Sequence, residues 1–267
     1  MSGLMKGKRG LVFGVANKMS IAWGCAEVLA REGASLAFNY LGDAQEKRVR
    51  ELVGGTDWRG SEQPPLALPC DVASDDQIAT FFEQIRKSWD AVDFIVHSVA
   101  FTEKDCLRQP FVETSRQNFA LTMDISVFSL VALIRHARPL LRPGSAIVTM
   151  SYYGAEKVVP KYNVMGVAKA ALESTTRYLA YDLGGDGIRV NALSAGPIRT
   201  LSSSAIPGIR EMLDNAQRFA PLRRNVTQDD ISSSALYLLS HLSQGVTGEV
   251  LHVDCGYNTL GMFEAIS

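Results

Sequence analysis

Short apolar runs alternate with longer helix-like stretches along almost the whole chain, and this alternation constrains the fold more than any other feature. The run Arg9–Phe13 precedes a helical pattern at Ile21–Arg31, and the run Ser35–Tyr40 precedes another at 43–52. Apolar runs of four to six residues joined by helices of ten or more are typical of parallel strands with crossover helices. The same pattern predicts further strands at 66–70, 94–97, 146–150, 188–193 and 249–253, and further helices at 75–89, 118–141, 164–183, 209–218 and 229–242.

Seven such strands predict an α/β fold, a single-domain Rossmann-type doubly wound sheet of seven mainly parallel strands with helices on both faces. Single α/β domains reach this length of 267 residues, and no low-complexity linker divides the chain. We therefore expect residues 1–267 to form one domain. The irregular stretch 195–207 follows the sixth predicted strand, where open α/β sheets bind ligands, and we expect a substrate lid around 195–220.

Composition argues against several classes of protein. Lys and Arg number 27 against 28 Asp and Glu, a formal net charge of −1, which argues against a nucleic-acid partner because such proteins normally carry a basic excess. No apolar run approaches the roughly 20 residues that span a bilayer, so no membrane partner is expected. The N-terminus lacks the apolar core of a secretory signal. The four cysteines have no Cys-x-x-Cys or zinc-ligand spacing, so we expect reduced thiols, a cytoplasmic protein and no bound metal.

The segment after the first predicted strand has the features of a phosphate-binding turn. Gly14 allows a sharp turn, and Ser20 and Ile21 open the following helix, whose N–H groups and dipole favour a negative diphosphate. The Ser20 hydroxyl is a candidate N-cap that can also reach a phosphate oxygen. Because the Gly-x-Gly-x-x-Gly spacing is absent, a plain strand-to-helix turn with a serine cap remains an alternative.

The ends of the second and third strands bear on which dinucleotide binds. Leu41 stands where a dinucleotide fold usually has an acid for the adenosine ribose, and the nearest cations, Lys47 and Arg48, lie inside the next helix. A 2′-phosphate needs a closer cation, so NADH is favoured over NADPH. Asp71, after the third strand, can accept a hydrogen bond from an adenine amino group or cap the following helix.

The sharpest chemical feature is a tyrosine and a lysine seven residues apart, Tyr162 and Lys169. On a continuous helix this spacing gives an offset of about 20° and a separation of roughly 10 Å, so both side chains share a face. Lys169 then holds a cofactor ribose while its charge lowers the pKa of the phenol. Two ordinary surface residues would show the same spacing. A second tyrosine, Tyr152, follows the fifth predicted strand at the ligand edge of the sheet.

Six short motifs, spread over nearly the whole chain, share one resemblance. They are Gly-Val-Ala-x-Lys-x-Ser-Ile-Ala at 14–22, Cys-Asp-Val at 70–72, Val-His-Ser at 96–98, Ser-Tyr-x-Gly-Ala-Glu at 151–156, Tyr-Asn-Val-Met-Gly-x-Ala-Lys at 162–169 and Arg-Val-Asn-Ala-x-Ser-Ala-Gly-Pro-Ile-Arg-Thr-Leu at 189–201. Together they resemble the short-chain dehydrogenase/reductase superfamily and, within it, the NADH-dependent enoyl-[acyl-carrier-protein] reductases of bacterial type II fatty-acid synthesis. The Tyr-x6-Lys spacing is specific, because most of the superfamily has Tyr-x3-Lys and position 166 here is Gly.

The resemblance implies roles for individual residues. Tyr162 corresponds to the tyrosine that hydrogen-bonds the thioester carbonyl, Lys169 to the lysine on the nicotinamide ribose, and Tyr152 to a second active-site tyrosine beside the substrate. Thr102 corresponds to a substrate contact. The implied NADH-binding residues are Gly14, Ser20 and Ile21 at the diphosphate, Leu41 at the adenosine ribose, Asp71 and Val72 at the adenine, and Val99, Lys169, Ile198, Arg199, Thr200, Leu201 and Ser202 around the nicotinamide and phosphates.

The resemblance also implies a reaction and partners. The reaction is hydride transfer from NADH to the trans-2 double bond of an enoyl thioester on acyl-carrier protein, the last step of the elongation cycle, with Tyr162 stabilising the enolate. A homotetramer is implied, in which the apolar face at 121–141 contacts a neighbouring subunit. Two alternatives remain: a related short-chain reductase acting on a carbonyl or an enoyl-CoA, and a non-catalytic NAD-sensing module. His97 is expected to be a hydrogen-bonded structural histidine.

Overall fold

Seven strands form the sheet on which the described part of the chain is built. The computed structural model describes residues 3–58, 61–201 and 203–262. The strands are β1 Arg9–Phe13, β2 Ser35–Tyr40, β3 Leu66–Pro69, β4 Val92–His97, β5 Leu141–Ser151, β6 Arg189–Ala195 and β7 Val250–Val253. They lie in the order β3-β2-β1-β4-β5-β6-β7, and each neighbouring pair is parallel. The predicted Rossmann-type α/β sheet is confirmed, with all of its pairings parallel.

Helices connect the strands, and several begin at a residue suited to capping. The hydroxyl of Ser74 accepts a hydrogen bond from the N–H of Gln77 at the start of the third helix, and Thr227 and Asp230 form a reciprocal capping box at the start of the eighth. The helices are α1 Ile21–Arg31, α2 Gly42–Gly54, α3 Asp75–Ser88, α4 Arg116–Met123, α5 Ser129–Ala137, α6 Val164–Gly184, α7 Ile209–Phe219 and α8 Gln228–Leu239.

Apolar side chains pack against both faces of the sheet. One buried cluster joins the strands to α1 and α8 and includes Trp23 and Leu238. The other joins them to α3, α5 and α6 and includes Phe81 and Leu172. Since both faces of the sheet are covered, its central strands are apolar at nearly every position rather than at alternate ones. The prediction of helices on both faces is confirmed.

One strand next to the site is longer than the sequence predicts. β5 spans Leu141–Ser151 rather than 146–150. A Pro-Gly pair at 143–144 is typical of a turn and concealed the first half of the strand. Gly144 has a φ of +93°, and the register of β5 against β4 shifts in this region. The carboxyl end, which carries the site, lies one residue beyond the predicted end.

The helical stretch Arg116–Leu140 combines α4, a π-helical turn at Asp124–Phe128, α5 and a short 3-10 turn at Arg138–Leu140. By length and composition alone it could cross a membrane: its mean hydropathy reaches 1.5 over 18 residues, and 44% of that window is buried inside the protein. We predicted no run of this length, so the structure corrects that prediction. The core helix of a soluble protein meets the same criterion, and Leu130 and Leu133 of this stretch belong to the core.

Candidate active site

The residues predicted to form the site lie along one edge of the sheet. All strands run in the same direction, so the loops after β1 to β6 emerge at the same edge. β1 and β4 are neighbours, and the strand order reverses between them, which is where open α/β sheets bind ligands. Ser202 lies outside the described residues. The other predicted residues on these loops are Gly14, Ser20, Leu41, Asp71, Val72, Val99, Thr102, Tyr152, Tyr162, Ile198, Arg199, Thr200 and Leu201, whereas Ile21 and Lys169 lie on α1 and α6.

Gly14 turns the chain at the end of β1 and brings it against the loop after β4. Its φ is +98°, and a Cβ there would stand 2.1 Å from the carbonyl oxygen of Ser98. The Gly14 N–H donates to Oδ1 of the buried Asn39 at 3.1 Å, and Nδ2 of Asn39 donates to the carbonyl of Cys70 at 3.1 Å. One amide therefore ties together the ends of β1, β2 and β3. Our predictions omitted Asn39, although a polar residue within an apolar strand was an available signal.

Ser20 does not cap α1 as predicted. Its Oγ accepts hydrogen bonds from the N–H groups of Ala16 and Asn17, both at 3.0 Å, and so closes the turn itself. The start of α1 therefore has no side-chain cap within the described part of the chain, and Ile21 opens the helix with its dipole facing the turn. Gln228 of α8 holds the same turn, because its amide donates to the Ser20 carbonyl at 2.7 Å. This arrangement suits a negative group at the helix end.

The ends of β2 and β3 present an apolar side chain and a carboxylate. Leu41 is 56% exposed beside the turn. Asp71 does not cap α3, since Ser74 does so; the Asp71 carboxylate accepts the N–H of Ala73 at 2.9 Å instead. Val72 is buried directly after it. Of the two roles open to Asp71, the structure removes the helix cap and leaves a half-buried carboxylate at the ligand edge.

A groove beside the phosphate turn brings α2 closer than the sequence predicts. We placed Arg48 well inside the next helix and too far along the chain to matter. One face of α2 borders the turn, so the cation of Arg48 lies beside it. The groove is lined by Asn17, Lys18 and Met19 of the turn and by Arg48, Glu51 and Leu52 of α2.

Tyr162 lies before α6 and not on it, so the prediction that it shares a helix face with Lys169 is wrong. The helix begins after Asn163, which has φ +45° and ψ −124° and so breaks the helical path. The preceding Lys161 also has a positive φ, of +67°. Nδ2 of Asn163 donates to the carbonyls of Cys106 and Gln109, both at 2.9 Å, and ties the turn to the loop after β4. We predicted no role for Asn163.

The two tyrosines of the site pack against each other. The ring centroids of Tyr152 and Tyr162 are 4.8 Å apart, with the ring planes at 70°. Burial raises the pKa of both phenols, and the neighbouring Tyr152 contributes to the rise at Tyr162. We expected Lys169 to lower the pKa of Tyr162; the direction is the opposite because loss of hydration outweighs any effect of the cation. Both phenols are therefore protonated hydrogen-bond donors at neutral pH.

Lys169 reaches the end of β5 from the second turn of α6. Its side chain is buried, and Nζ donates to the carbonyl of Met150 at 2.6 Å. Burial lowers the pKa of Lys169 to about 8, and the carboxylate of Glu173 opposes that change. Lys169 therefore contacts Met150 at the same strand end that carries Tyr152, two residues further along the chain. At neutral pH the Lys169 amine is therefore mostly in its protonated form.

His97 is a structural histidine, as predicted. Its Nδ1 lies 2.8 Å from Oγ1 of Thr149, and its Nε2 lies 2.9 Å from Oγ of Ser129. Burial and the nearby Lys169 lower the pKa of His97 to about 3. The ring is therefore neutral at physiological pH and links β4, β5 and α5 at the floor of the site.

An apolar cluster surrounds the tyrosine pair. Leu107 comes from the loop after β4, Met165 from the first turn of α6, and Ile206 from the stretch after β6. Together with Tyr152 and Tyr162 they bury a small apolar surface at the ligand edge. Val159, from the loop before α6, also packs in this cluster, so four separate segments contribute to it and no single sequence motif marks it. Our predicted site residues included none of these four, although Ile206 lies within the predicted lid at 195–220.

Thr102 sits in the loop after β4, the loop that also carries Leu107 of this cluster. Its Oγ1 lies 2.8 Å from Oγ1 of the buried Thr122 on α4. The neighbouring Phe101 is fixed as well, since its N–H and carbonyl both hydrogen-bond to Oγ of Ser126. The loop is thus anchored through its side chains and backbone to the helical stretch beneath it.

The stretch after β6 turns back over the site edge. Ile198 and Thr200 are half-buried, whereas Arg199 and Leu201 are exposed. The Ser203 hydroxyl donates to the Ile198 carbonyl at 2.8 Å, and Oγ1 of Thr200 accepts the Ser203 N–H at 3.0 Å. The stretch therefore holds its own shape through local hydrogen bonds. No group of three or more His, Cys, Asp or Glu side chains suited to a metal ion occurs among the described residues of the chain.

A family model and a relative of known name both match nearly the whole chain. The sequence model described as "Enoyl-(Acyl carrier protein) reductase" matches residues 14–258. The Rhizobium meliloti protein named Enoyl-[acyl-carrier-protein] reductase [NADH] 1 is 52% identical over 261 residues, covering 98% of this chain and 94% of that protein.

Solved structures agree with this match. The enoyl-acyl carrier protein reductase of Bacillus cereus, solved with NADP+ and indole naphthyridinone, has a TM-score of 0.94 and 46% identity, covering 97% of this chain and 100% of the other. The reductase of Anaplasma phagocytophilum, solved with NAD, has a TM-score of 0.91 and 45% identity, covering 99% of this chain and 97% of the other. Fold and sequence are therefore similar over nearly the full length.

Proposed function

The chain belongs to the enoyl-[acyl-carrier-protein] reductase family of the short-chain dehydrogenase/reductase superfamily, and on that premise we propose how its own residues carry out the reaction. The activity is NADH-dependent reduction of the trans-2 double bond of enoyl-acyl-carrier-protein thioesters in fatty-acid synthesis. The observation that supports the residue assignment most directly is the pair of protonated phenols, the buried Tyr162 and the partly buried Tyr152, at the strand end that Lys169 also reaches.

The phosphate turn fits a dinucleotide. Gly14 holds the backbone where a Cβ has no space, and among the described residues no side chain caps the positive end of the α1 dipole. Among the residues proposed to hold NADH are Gly14, Ser20 and Ile21 at the diphosphate, Leu41 at the adenosine ribose, and Asp71 and Val72 at the adenine. Around the nicotinamide and phosphates we propose Val99, Lys169, Ile198, Arg199, Thr200, Leu201 and Ser202.

Tyr162 is the proposed electrostatic catalyst. NADH, when bound, supplies the hydride that adds to the β-carbon of the enoyl thioester. As negative charge develops on the thioester carbonyl oxygen, the Tyr162 hydroxyl donates a hydrogen bond to it, because burial keeps the phenol protonated. Tyr152 packs edge-on against this ring and restricts its orientation beside the substrate. Lys169 holds the nicotinamide ribose, and Thr102 contacts the substrate from the loop after β4.

The apolar cluster at Leu107, Met165 and Ile206 is the proposed start of the acyl site. It lies against both tyrosines, so a fatty acyl chain can leave the thioester along apolar surface without exposing polar groups. The proposed lid at 195–220 includes Ile206 and α7. Of the described residues of α7, Leu213 and Ala216 are the buried ones, and weakly packed elements of this kind are the ones that move.

Steady-state oxidation of NADH tests the proposed function. The purified protein is assayed with crotonyl and acetoacetyl thioesters, carried on acyl-carrier protein and on CoA, each with NADH and with NADPH. We expect the crotonyl thioester on acyl-carrier protein with NADH to give the highest kcat/KM. Faster turnover of the acetoacetyl thioester would identify a carbonyl reductase instead. Binding of NADH without turnover of any thioester would identify a sensing module.

We also propose a cytoplasmic homotetramer. The helices at 116–140 and α6 carry large apolar or aromatic side chains that are exposed in the single chain, which supports burial against neighbouring subunits. Light scattering after size exclusion measures the mass directly, and we expect four times the 29.1 kDa of one chain. Elution at the mass of one chain would contradict the proposal. The side chains are Phe119, Phe128, Tyr178 and Tyr181.

A further inference from the structure

A buried carboxyl group, Glu173, lies near the site and has no part in the mechanism above. It stands one turn after Lys169 on α6 and is 7% exposed. The Ser151 hydroxyl donates a short hydrogen bond to its Oε1. A buried carboxyl is costly to a fold unless it is paired or hydrogen-bonded, so its position requires an explanation.

Lys169 and Glu173 attach α6 to two consecutive residues of β5. Nζ of Lys169 donates to the carbonyl of Met150, and the carboxyl of Glu173 accepts from the hydroxyl of Ser151. Side chains four residues apart lie on the same face of a helix, so the two links run side by side. The next residue along the chain is Tyr152. Two side chains of opposite charge, Lys169 and Glu173, therefore attach α6 to the strand end that precedes Tyr152.

We propose that Glu173 is a positioning residue of the reductase: its carboxylate is the counter-charge that keeps Lys169 protonated, and through Ser151 it fixes the strand end that carries Tyr152. The inference rests on the proposed function, because Lys169 matters only if it holds the cofactor. It adds a buried anion to a site otherwise described by two phenols and a cation.

The charges around the pair favour this arrangement. Lys169 is faced by Glu173 on its own helix and by His97 from β4, and His97 is neutral at working pH. Glu173 is itself influenced by Arg177 on α6, by Glu156 after β5 and by His252 on β7. Burial and Glu156 raise the pKa of Glu173, whereas the Ser151 hydroxyl, His252 and Arg177 lower it.

This geometry has a consequence for pH dependence. Burial alone drives Lys169 toward its neutral form, and the Glu173 carboxylate is the influence that opposes it. Removing the carboxylate therefore lowers the pKa of Lys169 further. The protonated lysine is then lost at a lower pH, so the alkaline side of the activity profile moves toward neutrality. The Glu156–His252 pair, whose atoms are 2.6 Å apart, acts on Glu173 and only indirectly on the lysine.

The test compares Glu173→Gln with the parent between pH 6.5 and 9.5. Glutamine keeps the size and an oxygen that accepts from Ser151 but has no charge. Two quantities are followed: kcat/KM for NADH with the crotonyl thioester, and NADH binding by fluorescence without substrate. With each protein scaled to its own maximum, we expect kcat/KM at pH 9 to be on the order of tenfold lower in the variant than in the parent. A profile of unchanged shape, or a uniform loss at every pH, overturns the proposal.

Three further variants separate the charge from the fold. Glu156→Gln removes a nearby surface carboxylate, and its kcat/KM should decline over the same alkaline pH range as that of the parent. Ser151→Ala keeps the Glu173 charge but removes the hydrogen bond to the strand end. We therefore expect kcat to fall while the alkaline decline of the pH profile stays at the same pH. Lys169→Arg stays protonated throughout this range, so its NADH binding should lose the alkaline decline. If the decline persists in Lys169→Arg, lysine is not the titrating group and the proposal fails even where Glu173→Gln does not fold.

Failure of the inference and failure of the proposed function give different results. A parent protein that binds NADH but reduces no enoyl thioester contradicts the function, whatever the Glu173 variants do. A parent that reduces the thioester while Glu173→Gln follows its pH profile contradicts the inference alone.

Discussion

The two ends of the site use different kinds of chemical group. At the proposed diphosphate turn of the nucleotide end the functional groups are backbone amides and neutral side chains, arranged by Gly14, Ser20 and Asn39. At the catalytic end they are ionisable side chains, and burial displaces the pKa of Tyr162 and Lys169 from their ordinary values. The difference teaches that one end recognises by shape and dipole, whereas the other depends on how much water is excluded.

The two ends also store strain differently. Gly14 adopts a positive φ at no steric cost because it lacks a Cβ. At the catalytic end Lys161 and Asn163 adopt positive φ despite their side chains. Strained conformations of non-glycine residues persist only where surrounding contacts impose them, and here the two hydrogen bonds of Asn163 do so. The positive φ of the nucleotide end therefore depends on one glycine, whereas that of the catalytic end depends on long-range contacts.

The largest expected effect is at the catalytic end. Tyr162→Phe removes the hydroxyl proposed to stabilise the enolate and should lower kcat by roughly 10²–10³-fold, as expected for the loss of one oxyanion donor. NADH binding, measured by fluorescence, should change little because the phosphate turn is untouched. Tyr152→Phe is the matched comparison and is expected to cost less. A Tyr162→Phe enzyme within a few fold of the parent contradicts the assignment.

The next largest effect is expected at the nucleotide end. It distinguishes backbone strain at a positive φ from the lack of room for a Cβ. Gly14→Ala places a Cβ 2.1 Å from the Ser98 carbonyl oxygen at a φ of +98° and should destabilise the fold by about 2–3 kcal/mol. Gly42→Ala is the control, because Gly42 also has a positive φ, of +68°, but a Cβ there meets nothing within 4 Å. Urea unfolding of both variants should show the larger loss at Gly14. Equal losses would mean that backbone strain, not the close approach, limits this turn.

Acidification tests the buried histidine between the two ends. The pKa of His97 is about 3 in the fold against an ordinary 6.5, so the unfolded chain binds the proton first. The contribution to stability is present above pH 6.5 and is lost progressively as the pH falls toward 3. Between pH 7 and 5 the loss amounts to about 2 kcal/mol at 25 °C. Urea unfolding of the parent and of His97→Gln at several pH values should show the steeper decline in the parent; parallel declines would contradict this role.

The smallest expected effect concerns the strained turn before α6. Asn163→Gly keeps the backbone conformation but removes both donors, and a loss of about 1 kcal/mol, or roughly fivefold in kcat, is expected as Tyr162 becomes less ordered. Asn163→Ala removes the same donors and adds strain, so it should cost more. Steady-state kinetics and thermal unfolding measure the two losses. If both variants match the parent, the turn does not position the tyrosine.

Much of the fold follows from periodicity. The bounds Arg9–Phe13, Ile21–Arg31 and Ser35–Tyr40 are identical in prediction and structure, because these elements are ended by clear local signals such as Gly14 and Gly33. β5 was predicted too short, since a Pro-Gly pair inside the strand looks like a turn. Local signals therefore mislead where the partner strand compensates for a poor residue.

The candidate site was less predictable. The spacing of Tyr162 and Lys169 singled out this pair on the assumption of a continuous helix, whereas α6 begins after Tyr162. Asn39 and Glu173 were missed because the sequence does not show what their side chains meet across the sheet. The direction of the pKa shift at Tyr162 was predicted wrongly, since only the tertiary structure shows that burial of the phenol dominates it.

The sequence by itself determined the alternation of strands and helices, the turn at Gly14 and the Tyr-x6-Lys pattern, because these depend on neighbours along the chain. The tertiary structure decided which of these residues meet, how far the phenols and the lysine are removed from water, and that a buried carboxylate at Glu173 accompanies them. The physical reason is that pKa values, strain and counter-charges depend on groups that lie close in space yet far apart in the chain.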